Sequence, residues 1–139
     1  MKVLQSLGVH RRNSNEGIFR YQRGLWGLSK NTKTIVRIQP AHKQFAELRI
    51  DDVAWCKLLR EIRRQKPATQ PLAYYKKIIR GMFRKRSALG LAGHITFHGG
   101  TATWTSSHES YVVAILEHEG SIDLPGTSRN PIQLASVLW

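Results

Sequence analysis

The sequence has one cysteine, nine acidic residues and no long apolar run, and each scarcity excludes something. Cys56 alone makes no internal disulfide and supplies no multi-cysteine zinc module. No segment nears the roughly 18 uninterrupted apolar residues of a membrane-spanning helix, so no membrane partner is expected. No glycine-rich phosphate loop, nucleophile elbow or paired-carboxylate arrangement occurs. No cofactor, metal site or catalytic residue is therefore assigned. The shortage of acids matters most: 22 Lys and Arg give a formal charge of +13 on 139 residues. That excess calls for a polyanionic partner. A hydrophobic content of 41% suits one globular domain and argues against full disorder.

The charge is unevenly placed. Residues 1–86 carry 21 Lys and Arg against five acids, whereas residues 87–139 carry Arg129 against Glu109, Glu117, Glu119 and Asp123. The front of the chain thus reads as an electrostatic footprint and the last third as a packing or partner-facing part. Gly8 to Thr34 is rich in Gly, Asn, Ser and Arg and has neither a helical nor a strand period. Residues 1–33 are expected to form a basic extended arm in which Arg11, Arg12, Arg20, Arg23 and Lys30 meet phosphates. Tyr21 and Trp26 are its candidates for base stacking. An Arg-rich, acid-poor start is also the composition of a mitochondrial targeting segment.

Residues 34–119 are expected to form an α+β domain. Thr34 to Gln39 alternates and reads as a strand ended by Pro40, and Phe45 to Ile50 is a weaker strand signal. Asp51 and Asp52 cap a helix over about 52–64, with Lys57, Arg60 and Arg64 opposite an apolar side that includes Cys56. Pro71 opens a second helix over about 71–87. Leu72, Tyr74, Tyr75, Ile78, Ile79, Met82 and Phe83 fill half of its wheel. Lys76, Lys77, Arg80 and Arg84, with Lys85 and Arg86 at the last turn, form a cationic ridge without an acid at i±4 to neutralise it. On that reading, charge reversal at Arg80 and Arg84 weakens nucleic-acid binding and leaves stability unchanged. Strands over 94–98, 101–105 and 110–117 follow, joined at Gly99-Gly100 and at Ser106 to Glu109. Residues 120–139 are an irregular tail whose apolar end is expected to dock on the core or on a partner.

Candidates for chemistry crowd the last third: His94, His98, His108, Glu117, His118 and Glu119. His94 and His98 on one strand stand about 13 Å apart at a rise of roughly 3.3 Å per residue, too far to chelate together. His94-Ile-Thr96 resembles one half of the His-x-Thr signature of the two-histidine phosphoesterases, with His108-Glu-Ser110 as a poor second half. The two motifs of that family lie far apart, on two related lobes. Here a predicted hairpin is all that separates them, and the activity is not carried over. Cys56, on the apolar side of its helix, is expected to be a small buried hydrophobe.

The sequence reading is an α+β protein with a basic N-terminal arm, two amphipathic helices and a small antiparallel β-meander. Its expected function is structural RNA binding within a large ribonucleoprotein, as a ribosomal protein of the cytosolic or mitochondrial ribosome, with the C-terminal third against neighbouring proteins. A metal-dependent nuclease using the His- and Glu-rich third, and an adaptor for an acidic protein, are the competing readings.

Overall fold

Alternation of apolar and polar side chains builds the sheet. The computed structural model describes residues 2–5, 17–26, 33–65, 70–88, 95–100 and 103–124. Five strands, β1 (Lys2–Gln5), β2 (Ile18–Trp26), β3 (Lys33–Pro40), β4 (Glu47–Asp51) and β5 (Ile95–His98), lie side by side in chain order. Every neighbouring pair is antiparallel. Phe19, Tyr21, Val36, Ile38, Leu48, Ile50 and Ile95 are buried on one face. The register sets Tyr21 opposite Ile38, Val36 opposite Ile50 and Ile50 opposite Ile95. A period of two then sends Arg20, Gln22, Arg37, Gln39, Glu47, Arg49, Thr96 and His98 to the other face.

Three helices, α1 (Asp52–Gln65), α2 (Leu72–Ala88) and α3 (Ser106–His118), complete one core cluster with the apolar face of the sheet. Each large side chain buried there contributes about 1.5–3 kcal/mol. Asp51 starts α1 by accepting the Ala54 N–H at 3.0 Å, and Ala54, Trp55, Leu58 and Ile62 face inward. Thr105 caps α3: its hydroxyl accepts the His108 N–H at 3.3 Å, and His108 Nδ1 accepts the Thr105 N–H at 3.1 Å. At the other end Gly120, with φ of +81°, and Ser121 donate to the carbonyls of Glu117 and Leu116. That reversal needs left-handed backbone, which glycine adopts without strain. Ile122 and Leu124 then pack on the core.

The α+β architecture and both expected helices hold, and the strand expected at 34–39 is β3 (Lys33–Pro40). Four expectations are corrected. Residues 18–26, assigned to an arm, are β2, whose Phe19 and Tyr21 are core residues. Residues 110–117, read as a strand, lie within α3, where every side chain from His108 to Glu117 is buried. A helix enclosed on all sides shows no polar stripe, so its apolar run imitates a buried strand. The second half of the expected hairpin is also absent over 103–105, which leads into the α3 cap; residues 101 and 102 lie outside the described residues, as do 6–16 and 125–139. Cys56 is exposed, its thiol 3.6 Å from an Asp52 oxygen, because the buried stripe of α1 is narrower than the apolar side of its wheel.

Candidate nucleic-acid interface

The cations fall into three groups with different employment. The first belongs to α2, where two of the three described cations are tied to α3. Lys76 is buried and donates to the Ser106 hydroxyl at 2.6 Å. Burial pushes its ammonium below the ordinary lysine range, with Glu109 opposing that shift and Arg80 adding to it. Arg80 grips the Glu109 carboxylate, its Nη2 2.9 Å from Oε1 and its Nε 3.1 Å from Oε2. Glu109 is 1% exposed and also accepts the Trp104 indole N–H at 2.8 Å. The expected outward ridge is corrected here: Tyr75, Lys76, Ile79 and Phe83 form the buried stripe, so Lys76 and Arg80 clamp α2 to α3. Lys77 alone of these three cations points outward with no acidic partner among the described residues.

The second group lies on α1. Lys57, Arg60, Arg63 and Arg64 are all exposed. Arg64 pairs with Glu61 at 2.7 Å; Lys57, Arg60 and Arg63 have no acidic partner among the described residues.

The third group lies on the other face of the sheet, where Arg20, Arg37 and Arg49 are half-buried. The register aligns Gln22, Arg37, Arg49 and Thr96 in one cross-strand row. Arg20 sits beside Gln39, and Glu47 beside His98, in the next. Arg37 and Arg49 share Glu47, at 2.6 and 3.3 Å. Burial alone would raise the Glu47 carboxyl, but hydrogen bonds from Arg37 and Gln39 and the two arginine charges outweigh it and hold it below the ordinary range. These guanidinium groups are largely engaged within the protein, and the exposed polar positions of this face are Gln22, Thr96 and His98.

The remaining candidates have structural roles. Arg23 bonds Glu119 at 2.6 Å and stands 5.6 Å from the centre of the Trp55 ring. Tyr21 is not available for stacking: it is 4% exposed, edge-on to His118, and burial with the Glu119 charge pushes its hydroxyl up to about 12. Arg11, Arg12, Lys30 and His94, and the side chains of Trp26, Arg84, Lys85 and Arg86, lie outside the described residues. His108 is a core residue boxed by the rings of Phe45, Phe97, Trp104 and Tyr111. Its Nδ1 accepts from Thr105, which leaves Nε2–H to donate to the Ala46 carbonyl at 2.9 Å. Burial lowers its pKa and keeps it neutral. Glu117, buried with an Oε2 that has no hydrogen-bond partner among the described residues, is pushed up to about 7 by burial and by Asp123. Among the described residues no three His, Cys, Asp or Glu side chains converge as metal ligands, and no helix is long and apolar enough to cross a membrane. No protein-family model, curated protein or solved structure matches the chain.

Proposed function

We propose that this protein binds structural RNA through its phosphates, as a component of a larger ribonucleoprotein in the manner of a ribosomal protein. The observation that carries the reading is the exposed set Lys57, Arg60, Arg63 and Lys77 on two adjoining helices, with no acidic partner among the described residues. Among the described residues the ion pairs use Arg23, Arg37, Arg49, Arg64 and Arg80 and leave these four aside. Phosphate contacts need no sequence motif, only cations held at fixed separations.

Salt titration of binding to a labelled structured RNA tests this. Each released phosphate counterion contributes roughly 0.7–0.9 to the slope of log K against log salt. Lys57→Glu with Arg60→Glu is expected to reduce that slope by about two contacts' worth. A flat salt response in the wild type favours an acidic protein partner instead. Metal-dependent cleavage of the RNA favours a nuclease.

A further inference from the structure

Tyr74, Ile78 and Met82 recur every four residues along α2, on the flank that its packing against α3 leaves half-buried. With Gly81 they floor an open groove of about 430 Å³, walled on the α1 side by Glu61 and Gln65 and overlooked by Lys77. Small-ligand sites run from roughly 300 to 1,000 Å³.

The chemistry of this groove is asymmetric. Its floor is apolar and aromatic, and the Tyr74 ring is braced edge-on by buried Tyr75, with centroids 5.4 Å apart. Its one acid is already neutralised. Glu61 accepts from Arg64 at 2.7 and 3.2 Å and from Gln65 at 3.0 Å, and those bonds hold its carboxyl below the ordinary range. The Lys77 ammonium at the rim has no such partner among the described residues. Lys57 stands one turn before Glu61 on the same stripe of α1 and extends the positive border. A π-face, two apolar side chains, an amide and a free ammonium together complement a flat heteroaromatic ring that carries a phosphate.

The geometry points to the α1–α2 groove as the seat of one unstacked nucleotide of a single-stranded RNA segment, its base on Tyr74 and Met82 and its phosphate at Lys77. This rests on the RNA-binding reading and adds to it a preference for unpaired over paired strands.

A short uridine-rich RNA carrying one 2-aminopurine, alone and annealed to its complement, tests the groove. Stacking on Tyr74 is expected to quench the 2-aminopurine of the single strand on binding. Gly81→Leu fills the groove without strain, because a Cβ there meets nothing within 4 Å. It is expected to abolish the quench and to weaken single-strand affinity about tenfold, with duplex affinity unchanged. Tyr74→Ala should do the same and Tyr74→Phe should restore both. The proposal is overturned if Gly81→Leu keeps the quench, if single-strand and duplex affinities fall together, or if wild type forms a dimer that Gly81→Leu dissolves. Failure of the wild type to bind either RNA refutes the underlying RNA reading itself.

Discussion

Helices α1 and α2 both carry clustered cations, four on α1 beside two acids and six on α2 with none, and use the described ones differently. On α2, Lys76 and Arg80 reach a hydroxyl and a buried carboxylate of α3. On α1, Lys57, Arg60 and Arg63 face outward, unmatched by any described acid. The difference lies in what each helix packs against. The polar neighbour of α2 is the first turn of α3, where Ser106 and Glu109 present acceptors. Beneath α1 lie the apolar residues of β3 and β4, so its cations are left on the rim. A count of charges along the chain favours α2 as the phosphate-facing helix; the packing partners favour α1.

Breaking the α2 clamp should have the largest effect. Arg80→Glu sets a second carboxylate against buried Glu109 and is expected to cost at least about 3 kcal/mol, read as a large fall in melting temperature. This is the reverse of the outcome expected for a free ridge. Next comes His108→Ala, which empties the ring box, removes the α3 capping partner and strands the Ala46 carbonyl. The expected cost is roughly 3 kcal/mol by chemical denaturation. The folded ring titrates below the unfolded value of about 6.5, so the unfolded state takes up more protons in acid. The wild type should therefore lose the His108 contribution as pH falls below about 6.5.

Glu117 gives the opposite slope. Its folded pKa of about 7 exceeds the ordinary 4.5, so the native state holds the extra proton between those values. Stability falls as pH rises through that window, and the penalty is complete above pH 7. Glu117→Gln is expected to gain about 1–2 kcal/mol at pH 8 and nothing at pH 4. The smallest effect on stability belongs to α1: Lys57→Ala and Arg60→Ala should each stay within about 0.5 kcal/mol of wild type while weakening RNA binding. If they destabilise as much as Arg80→Glu does, the contrast between the helices is false.

The sequence revealed both helices that begin at a recognisable device, Asp51 for α1 and Pro71 for α2. It revealed β3 and β5 through alternation. It concealed α3, because Tyr111 to Leu116 is apolar on every side and because the capping partner of Thr105 is His108 where Glu or Gln usually stands. β2 escaped notice because Arg20, Gln22 and Arg23 outweigh Phe19 and Tyr21 in any local reading. Only the register against β3 shows which of them face inward. The candidate interface was legible as charge and illegible as geometry. Lys57 and Arg60 stand where their wheel puts them, whereas Lys76 is buried because its methylene stem continues the Tyr75, Ile79 and Phe83 stripe. The groove beside Tyr74 follows from that same offset, since α3 covers one flank of α2 and leaves the other half-open.

Strands β4 and β5 are neighbours although both α1 and α2 lie between them in the chain. Their pairing closes a far longer loop than the turn that joins β3 to β4, and long loops cost more entropy to close. During folding the β2–β4 meander should therefore zip first and β5 should dock late, bringing α3 and its ring box behind it. A nascent chain halted before Ser106 would display the oily underside of an otherwise hydrogen-bonded sheet, which is the state most in need of a chaperone.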